Sequence, residues 1–182
     1  MQKEIIRQIV HAIFGTIIIA MLFLGKDYAL LMSSFAFGFG IIVSVLSSKG
    51  RKIPFFTTAL ENLGRGSENI AGIGALTLFL GITMAIAFFP LKAALGALVV
   101  LSYGDAASTI FGILLGRNKS IGKRTIEGTV AGIIISFAGL YLLFNPFSAF
   151  CAAAVGMLAE YLPIDDNISI PIASGIVLSF LI

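Results

Sequence analysis

Apolar residues gather along this chain into seven blocks, at roughly 5–25, 28–48, 69–90, 92–116, 128–145, 147–162 and 169–182. The breaks between them carry what helix ends require: Gly25-Lys26-Asp27, Lys49-Gly50-Arg51-Lys52, Pro90, the stretch from Arg117 to Arg124, Asn145-Pro146, and the stretch from Pro163 to Asn167. A helix needs about 20 apolar residues to cross a hydrocarbon core ~30 Å thick. The pattern therefore predicts seven transmembrane helices, the last two short.

Composition agrees with that reading. Hydrophobic residues make up 58% of the chain and charged residues 12%, where soluble domains carry about 25% charge. Seven spans use most of the 182 residues, so 1–182 reads as one all-α integral membrane bundle with no second domain. The first block is interrupted by Glu4, Arg7 and His11, and no small-residue cleavage pattern follows Leu24. It is expected to be a retained helix rather than a signal peptide. The single cysteine, Cys151, lies in an apolar run, which excludes a disulfide framework and predicts a buried small hydrophobe.

Charge sets the orientation, because basic residues stay on the cytoplasmic side. Under seven spans, Lys3, Arg7, Lys49, Arg51, Lys52, Arg65, Arg117, Lys119, Lys123 and Arg124 share one side, and only Lys26 and Lys92 fall on the other. The N-terminus is predicted cytoplasmic and the C-terminus outside. The acids follow the bases, which topology does not demand: Glu4, Glu61, Glu68, Glu127, Glu160, Asp165 and Asp166 crowd the same ends. Carboxylates beside lysines and arginines suit a site for Mg²⁺ and phosphate, in which one or two carboxylates hold the ion and cations neutralise the phosphate.

One acid lies deeper. In an unbroken fourth helix Asp105 stands ~18 Å along the axis from Arg117. A charge at such depth costs about 2.5–3.5 kcal/mol on insertion scales, so these residues face a bundle interior or a wet cavity. Asp105, Ser108, Gly112 and Gly116 recur at helical steps, and the small ones let a neighbouring backbone come close. Gly104 is a candidate break in that helix. The segment RNKSIGKRTIEG follows, basic with one glycine, and it does not match a Walker A loop because Gly122-Lys123 is followed by arginine. Asp166 and Asn167 precede the last block, where Asn167 can read a base or order a ligand, while Asp165 reads as a helix cap. Glu4, Arg7 and His11 share one helical face, with Arg7 free to pair with Glu4 or hold a phosphate. Glu68 opens the third block, where it serves the helix dipole or a site equally well.

Three separated stretches carry a family resemblance. Gly104-Asp105-x-Ala107, Gly112, Gly116, Lys123 and Glu127-Gly128 resemble the hallmark segment of the polyprenol kinase family, which includes dolichol, phytol and CTP-dependent diacylglycerol kinases. EIIRQIVH near the start and EYLPIDDNISIP at 160–171 are similar to that family's terminal signatures. Gln8 stands where a second basic residue is common, and Arg124-Thr125 where Lys-Ser is frequent. The resemblance implies CTP-dependent phosphorylation of a lipid alcohol at the cytoplasmic face, with Mg²⁺. It implies Asp105, Glu127 and Lys123 as catalytic residues and Asp105, Glu127 and Asp166 as metal ligands. Lys123, Arg124, Lys119, Arg7 and Asn167 would then hold nucleotide and phosphate, with Glu160, His11 and Glu68 as further site residues.

Two other functions compete. Lipid cytidylyltransferases share part of the architecture, but their longer signature has a Gly-His-Gly-Gly element, and His11 is the one histidine here. A small transporter also places carboxylates in membrane helices, yet the outer side is almost uncharged and no inverted halves are visible. Zinc lacks its usual ligands. Nucleic-acid binding is not expected, since topology accounts for the net charge of +3 and the basic loops lack interleaved aromatics.

Overall fold

The computed structural model describes residues 1–49, 51, 72–118 and 124–182. Seven helices and no strands occur among them. They are α1 (Gln2–Leu24), α2 (Lys26–Ser48), α3 (Ile73–Phe88), α4 (Leu91–Leu115), α5 (Ile126–Tyr141), α6 (Pro146–Tyr161, its last turn 3₁₀) and α7 (Asp166–Leu181). Each coincides with one apolar block. Only α1, α2 and α4 are long and apolar enough to cross a membrane; the other four are apolar but shorter. At ~1.5 Å per residue, a 16-residue helix reaches about 24 Å of a ~30 Å core.

Local chemistry sets the helix ends. Gly25, at φ 147°, turns the chain between α1 and α2 in a conformation a side chain rarely adopts. Asn145 caps α6 by accepting the Ser148 N–H at 2.9 Å, with Pro146 in the first turn. Thr125 caps α5 through the Gly128 N–H, and Asp165 caps α7 through the Asn167 N–H, as its position predicts. Lys26 and Lys92 have local partners at the end opposite the acids. Lys26 donates to the free carbonyl of Phe89 at 2.9 Å, and Lys92 lies over the Phe144 ring.

α4 is the central rod. Its first half packs on α7, α1 and α3, its second half on α5 and α1, and its middle touches α1, α5, α6 and α7. α2 lies outermost, against α1 and α3. The core runs through Leu95, Leu98 and Leu101 of α4 with Leu22, Ile82, Ile86, Leu140, Met157, Ile170 and Leu178 around them. Large apolar side chains also cover the outside, Leu31, Phe35, Leu142 and Phe180 among them. Cys151 is half-buried rather than enclosed.

The close approaches are made by glycines. A Cβ on Gly132 would meet the Gly104 carbonyl at 2.9 Å, and one on Gly128 would meet that of Ser108, so α4 and α5 touch backbone to backbone. At the α3–α7 crossing, Pro171 has no N–H to offer the Asn167 carbonyl one turn back. Gly81 packs directly against that carbonyl, leaving no room for a Cβ.

Gly104 does not break α4. The helix instead widens into a π turn over Val100–Gly104, closed by the Asp105 N–H donating to the Val100 carbonyl, and returns to α geometry at Asp105. Such single-turn widenings rotate every residue beyond them and are frequent at functional sites.

Candidate functional site

Polar side chains converge where α4, α5, α6 and α7 meet. Glu160, in the 3₁₀ turn that ends α6, is 2% exposed and accepts from three groups. Ser108 Oγ of α4 reaches it at 3.1 Å, Thr129 Oγ1 of α5 at 2.6 Å, and Arg124 Nη1 at 2.8 Å. Because Thr129 donates to Glu160, the Tyr161 hydroxyl 2.7 Å away donates to Thr129. Arg124 also pairs with Asp166 at the start of α7 and lies over the Tyr161 ring. One arginine thus joins α5, α6 and α7. Burial works against its charge, but the hydrogen bond and charge of Asp166, with the charges of Glu160 and Asp105, outweigh that and hold the guanidinium above its ordinary pKa.

Asp105 sits beside this network without belonging to it. It is 6% exposed, and neither a hydrogen bond nor an ion pair joins its carboxylate to a described residue. The charges of Asp166, Glu160, Arg7 and Arg124 all act on it. Beyond the π turn α4 is regular, so at 100° per residue Asp105 points between Ser108 and Thr109 one turn on. Ser108 faces Glu160, and Thr109 faces α1, where Gln8 Nε2 donates to its Oγ1 at 3.0 Å. The free carboxylate therefore looks into the junction between α1 and the arginine network.

The other expected site residues divide. Arg7 pairs with Glu4 on α1. His11 is buried, bonds the backbone at Leu101 in the π turn, and leaves Nε2 without a partner among the described residues. Asn167 donates to Thr77 Oγ1 at 2.9 Å and to the Gly74 carbonyl at 3.3 Å, so its amide nitrogen ties α7 to α3. Glu127 stands apart from Asp105: it accepts from the backbone and side-chain nitrogens of Asn118, at 3.1 and 2.8 Å, where the basic segment leaves α4. Lys119, Lys123 and Glu68 lie outside the described residues.

Among the described residues no three His, Cys, Asp or Glu side chains form a self-contained metal cage. Among the described residues Asp105 is the buried carboxylate without a hydrogen bond or ion pair. That suits Mg²⁺, which takes one or two carboxylates and completes its shell with water and phosphate oxygens. Thr129 and Tyr161 were not singled out by sequence reasoning, and Gln8 was noted only as a departure from the family pattern. Their signal was faint: a hydroxyl or an amide recurring on the inner face of a helix otherwise lined by apolar residues.

The chain is 27% identical over 173 residues to an uncharacterized protein of Methanocaldococcus jannaschii, covering 93% of this chain and 89% of that protein. No protein-family model matches the chain. No solved structure matches it either.

Proposed function

We propose that this protein is a membrane-embedded kinase that moves the γ-phosphoryl group of CTP to the hydroxyl of a lipid alcohol, with all seven helices spanning the bilayer and the acid-rich end in the cytoplasm. The observation that carries the reading is Asp105, a buried carboxylate without a partner among the described residues, beside an arginine–carboxylate network. A structural carboxylate at such depth would be paired, because an unpaired one costs stability and contributes nothing. The likeness of the 104–128, 4–11 and 160–171 segments to polyprenol kinases supplies the reaction class.

Phosphoryl transfer asks a protein mainly for positioning and charge neutralisation. In this account the lipid hydroxyl oxygen attacks the γ-phosphorus, the bond to the β,γ-bridging oxygen breaks, and CDP leaves. Asp105 takes the hydroxyl proton. Glu160, locked by Ser108, Thr129 and Arg124, fixes the guanidinium rather than acting on substrate. Arg124 neutralises the triphosphate, and the family resemblance assigns the same role to Lys123. Asp105 and Asp166 would hold Mg²⁺, which would supply positive charge to neutralise the triphosphate. Glu127 fits better as the anchor of the basic segment through Asn118 than as a metal ligand.

The test is transfer from γ-labelled CTP, with ATP alongside, to a panel of isoprenoid alcohols and diacylglycerol in proteoliposomes with Mg²⁺. A labelled lipid monophosphate is the expected product, lost with EDTA. A CDP-lipid formed from a phosphorylated lipid would replace this reading with a cytidylyltransferase, and no product of either kind would contradict both.

A further inference from the structure

Three buried polar atoms along the seam between α1 and α4 have no partner among the described residues: Gln8 Oε1, His11 Nε2 and Ser102 Oγ. Their residues are 3%, 8% and 0% exposed. Buried polar groups are nearly always paired, and an unpaired one is costly, so three on one seam call for a partner. Arg7, on the same helix as Gln8 and His11, acts on both His11 and Asp105. The seam is rigid around them: Gln8 Nε2 is fixed on Thr109, His11 on the Leu101 backbone, and Gly15 is pressed against Ser102 so closely that a Cβ would overlap it.

The order along the two helices locates Asp105 among them. On α1 the buried face reads Gln8, His11, Gly15, at helical steps. Gln8 meets Thr109 and Gly15 meets Ser102, so α4 runs antiparallel and presents Thr109, Asp105 and Ser102 in turn. His11, between Gln8 and Gly15, falls at the level of Asp105, between Thr109 and Ser102. Asp105 therefore has two unlike sides. Towards α5, α6 and α7 are Arg124, Glu160 and Asp166; towards α1 the groups along the seam are Gln8, His11 and Ser102, with the charges of Arg7, paired with Glu4, and of Asp165 reaching the seam from its edge.

We propose that the neutral side, formed by Gln8, His11 and Ser102, is a subsite for one uncharged hydroxyl, the polar end of the lipid acceptor. This rests on the phosphotransfer reading for what happens next, though not for the binding itself. The hydroxyl donates to His11 Nε2, to Gln8 Oε1 or to the Asp105 carboxylate, and its oxygen accepts from Ser102 Oγ. The apolar remainder of the acceptor runs along the α1 surface into the bilayer, where Ile9, Ile13 and Ile17 are exposed. Gln8, which departs from the basic residue common at that position, is then a specificity residue that keeps the subsite neutral.

The test uses the full chain in proteoliposomes, without CTP, and a long-chain primary alcohol with a diazirine on the carbon next to the hydroxyl-bearing one. Crosslinks should map to residues 8–15 of α1 and 102–109 of α4. Excess long-chain alcohol should suppress them, whereas its methyl ether, which cannot donate, should compete at least about tenfold less well. Gln8→Leu and Ser102→Ala should each weaken labelling while circular dichroism stays helical, and should raise the acceptor KM without moving that for CTP. Labelling that persists where no transfer occurs upholds the subsite and sinks the kinase reading. Labelling spread over outward residues such as Phe35 and Phe180, or equal competition by the ether, overturns the subsite even if transfer is observed. Because the wild-type map and the ether comparison need no variant, a misfolded Gln8→Leu does not rescue the proposal.

Discussion

At the scale of the residue, the same chemistry serves two purposes within a few ångströms. Among the described residues the Glu160 carboxylate has three donors and that of Asp105 has none, although both acids are buried in the bundle. Satisfied, a buried carboxylate is a girder; unsatisfied, it is available to a ligand. Arg124→Ala should therefore cost stability, about 3 kcal/mol, because it strands the Glu160 charge in a dry site. Adding Glu160→Gln to that variant should recover much of the loss, since the amide needs no cation. Thermal unfolding of the two variants and the parent in detergent checks this; equal midpoints for Arg124→Ala and the parent would contradict it. The acids and bases near the chain's polar breaks were legible in the sequence, but their division into girder and ligand was not. Pairing depends on Ser108 and Thr129, which come from different helices and carry no charge to mark them.

At the scale of the element, the informative positions are the glycines and the π turn. Helix existence followed from the apolar blocks, because burial or lipid contact needs a long uninterrupted apolar face. The widening at Val100–Gly104 did not, since one extra residue in a turn leaves no mark on hydropathy. Gly104 was visible only as a possible break, yet it fits α geometry and serves the contact with α5. The α4–α5 seam gives a contrast that composition alone would miss. Gly132→Ala drives a Cβ toward the Gly104 carbonyl, a backbone atom that cannot yield, and should lose about 1–3 kcal/mol. Gly38→Ala on α2 meets nothing within 4 Å and should be neutral or stabilising. Unfolding midpoints that respond alike to both substitutions would mean that the two helices are not in backbone contact.

At the scale of the whole molecule, the polar groups gather at one end of a bundle whose outer surface is apolar. Leu31 and Phe35 on α2, Leu142 at the end of α5 and Phe180 on α7 face outward, an arrangement that water would penalise and lipid would not. Under the proposed seven-span arrangement the two termini would lie on opposite sides, with the first expected in the cytoplasm from the basic residues. Cysteines introduced at each end in a Cys151→Ala background should therefore react oppositely with an impermeant maleimide in intact cells, the C-terminal one labelling and the N-terminal one protected. Labelling of both, or of neither, would remove one span and with it the shared face of Arg7, Arg124 and Asp166. The short helices α3, α5, α6 and α7 make this a real test, because length alone supports crossing for α1, α2 and α4.

The claim on which the account turns is that Asp105 acts on the acceptor hydroxyl, and the direct measurement is initial-rate transfer of label from γ-labelled CTP to a long-chain isoprenoid alcohol by the parent protein and by Asp105→Asn, side by side in proteoliposomes. The substitution keeps size and removes charge and basicity, so the rate should fall about 10²–10⁴-fold while helicity and unfolding midpoint hold. A variant that transfers at the parental rate would contradict the assignment.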